Sequence, residues 1–216
     1  VWTQMSYATI EAVRKNLGKV PAKPGDEFDP AKAAYAAKML HPIEETLVLD
    51  RDKYAWTWAK GQVVLDVGAS GELHRGLVEI AEKVYGLDRD SSDGVVGIDL
   101  DDPNSKIPVY AGVTRIVCGE VLEHLGNPLS LLKRLIAGYP EVPILVSVPN
   151  AFGTIVRTHA LKSVENVNID HVAWYSPMTL KWLLSRAGYE QTAFYCYKGE
   201  PITAEGIIAV ATPRTK

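Results

Sequence analysis

The sequence has almost no cysteine, no long apolar run and no excess of basic charge, and each shortage excludes a class of protein. Cys118 and Cys196 are the only 2 thiols in 216 residues. That is too few for a disulfide framework, and their spacing is not that of a metal finger. Both fall inside apparent strands and read as buried free thiols. No stretch approaches the ~20 apolar residues that a membrane-crossing helix needs. The first residues also lack the charged-then-apolar layout of a secretion signal, so no membrane partner is expected and the cytoplasm is the expected compartment. Lys and Arg number 23 against 26 Asp and Glu, for a formal net charge of -3. The only adjacent basic pairs are Arg14-Lys15 and Lys133-Arg134. Without a basic field, a broad charge-driven grip on nucleic acid is disfavoured.

With 47% apolar and 23% charged residues, the chain has the composition of one globular α/β domain. Residues 1–60 read as helices separated by prolines, forming an N-terminal helical cap. Ile10, Val13 and Leu17 share one helical face before Gly18, and Asp29-Pro30 starts a second helix that ends before Pro42. A third helix, starting near Ile43, carries Leu47, Tyr54 and Trp58 towards Gly61. Residues 61–216 alternate β-branched runs with amphipathic helices, which predicts a mostly parallel sheet. The predicted strands are 63–67, 95–99, 115–118, 144–148, 192–197 and 206–212, the last two forming a hairpin pair. Asn127-Pro128 and Ser176-Pro177 open well-marked helices, and Gly138 and Gly188 stop them.

The residues that carry chemistry sit where strands end. The first strand runs into Asp66-Val67-Gly68-Ala69-Ser70-Gly71-Glu72, a turn of small residues followed by the free N–H groups of a helix start. Such turns are also common as plain structure. The second predicted strand ends at Ile98-Asp99-Leu100, where an acid can accept hydrogen bonds from both hydroxyls of a bound ribose. It lies about thirty residues after the turn, beyond the usual ~20, and the polar loop 86–94 absorbs the excess. A capping or solvated aspartate is the alternative. Next comes Cys118-Gly119-Glu120-Val121-Leu122-Glu123-His124-Leu125. If this stretch turns helically, Glu120, Glu123 and His124 share one face. Val148-Pro149-Asn150 and Asp170-His171-Val172-Ala173-Trp174-Tyr175-Ser176 follow. His41, His74 and His159 have no supporting neighbours.

In this order, the motifs resemble the class I S-adenosylmethionine-dependent methyltransferases, in particular their broad bacterial small-molecule branch. The resemblance runs from about Gly61 to the C-terminus. It implies a Rossmann-like sheet of seven strands with a final antiparallel hairpin. It also implies that Gly68, Ser70 and Gly71 line the methionine part of S-adenosylmethionine and that Asp66 anchors the turn. Asp99 would hold the ribose hydroxyls, Leu100 would contact adenine, and Glu120 would lie beside the methionine or the substrate. Two departures stand out. Ser70 and Glu72 occupy positions where glycines are frequent. The interval from Asp99 to Glu120 is also too short for the usual helix, strand and adenine-reading acid, so the fold is shortened between its second and fourth strands. Residues 106–113 could supply one short strand, and the exposed edge could be closed by the N-terminal helices or by a second subunit in a homodimer.

Glu120, Glu123, His124 and His171 together offer two carboxylates and two imidazoles, a set able to hold a divalent metal that polarises an acceptor hydroxyl. Similar arrangements occur in methyltransferases of small-RNA 3′ ends and of ubiquinone precursors, whereas Glu123 and His124 are structural in many metal-free relatives. Methyl transfer from a sulfonium mainly needs alignment, and a hydroxyl acceptor adds the need for a base. His171 is the first candidate and His124 the second. The expected function is methylation of a small hydroxylated or amino acceptor, such as a sugar or secondary metabolite. The competing expectations are a cofactor-binding module without catalysis, a metal-assisted 2′-O-methyltransferase of RNA ends, and a nicotinamide dehydrogenase. The absence of a three-glycine fingerprint argues against the dehydrogenase.

Overall fold

The computed structural model describes residues 46–48, 50–200 and 203–214. The first two predicted helices lie outside the described residues. The rest belongs to one compact unit, Glu45–Lys216. Strand β1 (Thr46–Val48) is followed by α1 (Arg51–Ala59), β2 (Val63–Val67), α2 (Gly71–Ile80), β3 (Lys83–Asp88) and β4 (Val95–Gly97). Then come β5 (Arg115–Gly119), a 3-10 turn (Leu122–His124), α3 (Pro128–Gly138), β6 (Ile144–Pro149) and α4 (Thr154–Ala160). Helix α5 (Pro177–Ala187) precedes the closing strands β7 (Tyr189–Tyr197) and β8 (Gly206–Pro213).

The strands form one sheet in the order β1-β7-β8-β6-β5-β2-β3-β4. Only β8 runs against its neighbours, β6 and β7. The expected architecture is therefore present, with β1 added as an eighth strand parallel to β7. The sheet is buried on both faces, as its continuous apolar strands require. Val64, Val117, Leu145, Ile208 and Val210 face a cluster that includes Ala55 and Ala59 of α1 and Leu73 and Leu77 of α2. The alternate residues Leu65, Ile116, Ile144, Val146 and Ile207 are equally buried.

Three local expectations are corrected. Where a helix was expected from Ile43, Thr46–Val48 is a strand and the described helix starts only at Arg51. Asp50 caps it, its carboxylate accepting from the amides of Asp52 and Lys53 at 3.0 and 3.1 Å. The second strand of the fold is β3, which no expected strand covered and which runs into the stretch read as the polar loop 86–94; it pairs in parallel with β2. Strand 95–99 shrinks to β4, which pairs on the far side of β3. Finally, residues 106–113 form no strand. Tyr139, the C-cap of α3, pins them instead, its hydroxyl donating to Pro108 O at 2.8 Å and accepting from Tyr110 N at 3.0 Å. The fold is indeed shortened between its second and fourth strands. No helix separates β3 from β4 or β4 from β5.

Candidate functional site

Strands β2 to β6 are parallel, so their carboxyl ends lie along one edge of the sheet, where open α/β sheets bind ligands. At the centre is the turn after β2. The amides of Gly68 and Ala69 both donate to Leu87 O, at 2.8 and 3.0 Å, docking the turn on the end of β3. Gly68 has φ +81, and a Cβ there would lie 2.2 Å from Val121 Cγ2, so this position needs glycine on two counts. Gly71 has φ +65 and open space where a Cβ would be. Ser70 is the N-cap of α2, but its side chain makes no capping bond. The turn thus offers an open cradle at a helix start whose first amides have no side-chain cap, features that suit the carboxylate and backbone of a bound methionine.

Asp66 is almost fully buried in β2, and its Oδ2 lies 2.8 Å from His74 Nδ1 on α2. Burial pushes its carboxyl up, and the His74 contact opposes this. The contact with Asp66 in turn raises His74. His74, which the sequence reading left as ordinary, is therefore tied to the turn.

Asp88 ends β3 directly beside the turn, about twenty residues after Gly68, the spacing expected of a ribose-binding acid. Asp99, given that role from sequence, lies instead beyond β4, one strand further from the turn. It is exposed, and its Oδ1 accepts from Asp101 N at 2.9 Å and Asp102 N at 3.3 Å. Leu100 beside it is buried, and its carbonyl accepts from Arg134 Nη2 of α3. Asp101 binds Gly126 N and Asn127 N at 3.0 and 2.8 Å. Between β3 and β5 the chain thus supplies β4 and this pinned loop.

On the other side of the turn, Glu120 follows β5 with φ +54. Its Oε1 accepts from Tyr197 OH at 2.8 Å and Ser147 Oγ at 3.0 Å, and Arg51 Nη1 lies 3.7 Å away. The helical turn starts only at Leu122, so Glu120 does not share a face with Glu123 and His124. This separates it from the expected four-residue metal set. The other three members do converge. Among the described residues, ligand atoms of Glu123, His124 and His171 all lie within 4.8 Å of one another. Glu123 is 1% exposed, and neither carboxylate oxygen has a hydrogen-bond partner. Burial, reinforced by the nearby Glu120 charge, pushes its carboxyl up to about 8.

The rings of His124 and His171 meet edge to face at 4.7 Å. His124 Nδ1 lies 3.2 Å from Asp170 O. A carbonyl only accepts, so a neutral His124 protonated at Nδ1 keeps its Nε2 lone pair free. Burial, then the charge of His124, lowers His171 below the ordinary imidazole value. The segment is held in place by the amides of Val172 and Ala173, which donate to Glu123 O at 2.8 and 3.2 Å, and by Tyr175 OH, which donates to Leu122 O at 3.1 Å. Tyr175 is thus a buried anchor. Trp174 borders a groove of about 490 Å³, also lined by Ala151, Val156, Ala160, Val164 and Glu165.

The methyltransferase-domain family matches residues 3–193. No curated protein sequence matches the chain significantly. Among solved structures, a small RNA methyltransferase superposes with a TM-score of 0.59 at 18% identity, over 81% of this chain. The chain spans only 27% of that enzyme's length. The 1,6-didemethyltoxoflavin-N1-methyltransferase of Burkholderia thailandensis superposes at 0.56, with 12% identity, over 97% of this chain and 89% of its own. The magnesium protoporphyrin IX methyltransferase of Synechocystis gives 0.56, with 11% identity, over 94% and 99%. The last two structures contain bound S-adenosylhomocysteine. At such identities the likeness is one of fold, and no helix among the described residues is long and apolar enough to cross a membrane. Because the family match spans most of its length, the chain belongs to the methyltransferase-domain family.

Proposed function

We propose that the protein methylates a hydroxyl or amino group on a small-molecule acceptor held beside His171. The observation that carries this reading is the convergence of Glu123, His124 and His171 at the carboxyl edge of the sheet that also bears the glycine turn. Gly68, Ser70 and Gly71 would hold the methionine part of S-adenosylmethionine, with Asp66 fixing the turn beneath them. Asp88 would bind the ribose hydroxyls, and Asp99 and Leu100 would flank adenine. Glu120, fixed by Tyr197 and Ser147, would border the methionine. When bound, the cofactor supplies an electrophilic methyl group.

The chain's own residues then orient the acceptor and take its proton. His171, held mostly neutral at pH 7, is suited to accept that proton, and His124 beside it is the second candidate. The groove bordered by Trp174 has the size of a small-molecule pocket. Its only charged lining residue is Glu165, which gives no purchase to a phosphate backbone. The acceptor assignment is therefore to small molecules and not to RNA.

A second, metal-assisted reading is favoured by Glu123. A buried carboxylate without a single partner is costly, and a divalent ion shared with His124 and His171 would satisfy it. Such an ion would supply Lewis acidity to the acceptor hydroxyl. Calorimetric titration with S-adenosylhomocysteine and with NAD tests the cofactor assignment, and binding of NAD alone would overturn it. Chelation followed by Mg²⁺ or Mn²⁺ addition tests the metal. Methylation that survives thorough metal removal leaves His171 acting alone.

A further inference from the structure

The bridge between Asp66 and His74 spans the glycine turn from both sides, and the packing around it is specific. Asp66 pairs in register with Gly86 of β3. The missing side chain at Gly86 leaves a slot beside the aspartate, and His74 fills it. A Cβ at Gly86 would lie 2.9 Å from Ala69 Cβ, 2.8 Å from Val95 Cγ2 and 3.3 Å from His74 Cε1. The imidazole thus sits where the turn, β3 and β4 meet, two residues before Asp88. Its side chain is 16% exposed, against 2% for that of Asp66. Asp66 Oδ1 has no hydrogen-bond partner, so among the described residues His74 is the one side chain that hydrogen-bonds this buried carboxylate. The bridge closes residues 66–74 into a ring that contains Gly68, Ser70 and Gly71.

We infer that His74 is a positioning residue for the cofactor, and that by clamping Asp66 it holds the glycine turn and the adjoining end of β3 in the conformation that binds S-adenosylmethionine. His74 itself touches no reacting atom. Without the clamp, the start of α2 is free to shift against β2, and the amides of the turn lose their common aim. The inference rests on the proposed cofactor site and extends it to a residue behind the turn. The acids facing the imidazole are Asp66 from β2 and Asp88 from β3, both of which raise its proton affinity. Cofactor binding at the β3 end and protonation of His74 are therefore linked, and the linkage is reciprocal.

The test combines two variants with a titration of the unmodified protein. Calorimetry with S-adenosylhomocysteine first establishes that the wild type binds it; failure here would sink the cofactor site itself and not the role of His74. His74→Asn keeps a donor near the position of Nδ1, whereas His74→Ala removes it. The expected result is about a tenfold rise in Kd for His74→Ala, with most of the affinity restored in His74→Asn. The KM for S-adenosylmethionine should rise while kcat stays near the wild-type value. Nuclear magnetic resonance titration of His74, assigned by its loss in His74→Asn, is expected to give different pKa values with and without S-adenosylhomocysteine. That measurement stands even if His74→Ala fails to fold. Unchanged affinity in a folded His74→Ala, an Asn variant as weak as Ala, or a His74 titration indifferent to the ligand would overturn the proposal.

Discussion

Replacing Gly68 with alanine probes the contact that joins the two halves of the site. Gly68 has φ +81, and its new methyl would fall 2.2 Å from Val121 Cγ2 in the turn after β5. The left-handed backbone alone costs an alanine about 1–2 kcal/mol, and forcing the buried methyl contact apart adds about 1–3 kcal/mol. The expected destabilisation is therefore about 2–5 kcal/mol. At roughly 2 kcal/mol per molar urea, the unfolding midpoint should fall by about 1–2.5 M. Val121→Ala alone removes buried methyl groups and should cost about 1–2 kcal/mol. In the double variant the clash is gone and only the backbone term and the lost valine methyls remain, so the two substitutions should couple favourably by about 1–3 kcal/mol. Urea unfolding followed by circular dichroism measures all four corners of this cycle. If Gly68→Ala were as stable as the wild type, or if the two effects simply added, the close approach of turn and strand end would be refuted. The same variant should bind S-adenosylhomocysteine weakly, because the displaced methyl moves the turn itself.

The acidic residues separate cleanly. Asp88→Ala should lose about 1.5–3 kcal/mol of S-adenosylhomocysteine affinity. Asp99→Ala should lose less, and the opposite order in calorimetry would return the ribose to Asp99. His171→Ala should lower kcat by about 10²–10⁴-fold without changing cofactor affinity. Because His171 is neutral above its lowered pKa, the wild-type rate should rise with pH through a limb below 6.5, and a limb appearing only above neutrality would exclude it as the base. Glu123, raised to about 8, binds its proton more tightly folded than unfolded. Metal-free stability should therefore fall as pH climbs from about 4.5 towards 8. Glu123→Gln should flatten that fall and abolish divalent-metal binding, both measurable by thermal unfolding with and without Mn²⁺.

Much of the architecture was legible in the chain because periodicity and capping are local. Strands 63–67, 115–118, 144–148 and 206–212 are continuous apolar runs, and each is found within a residue of its expected ends. Asn127-Pro128 and Ser176-Pro177 mark helices whose caps form as expected: the Asn127 side chain accepts from Ser130 N and that of Ser176 from Thr179 N. Strand β3 was missed because Lys83-Val84-Tyr85-Gly86-Leu87-Asp88 carries a glycine and polar ends. Its one clear signal was the spacing from Gly68 to Asp88.

The sequence by itself pointed to the cofactor class, the order of the strand-end motifs and the groups proposed to serve the acceptor, since these depend on residue type and short-range pattern. Only the tertiary structure decided which of those groups meet. It put Asp88, and not Asp99, at the end of the strand beside the turn, because strand neighbours in a sheet are set by long-range pairing that no local pattern encodes. It aimed the Glu120 carboxylate at Tyr197 and Ser147, while Glu123, His124 and His171 of the four expected metal ligands converge. It brought His171 to His124 across 47 residues of chain, and it placed His74, indistinguishable from any helix-face histidine in the sequence, against the one buried aspartate of the turn. In each case the deciding quantity was a distance across the fold, fixed by packing and not by the order of residues.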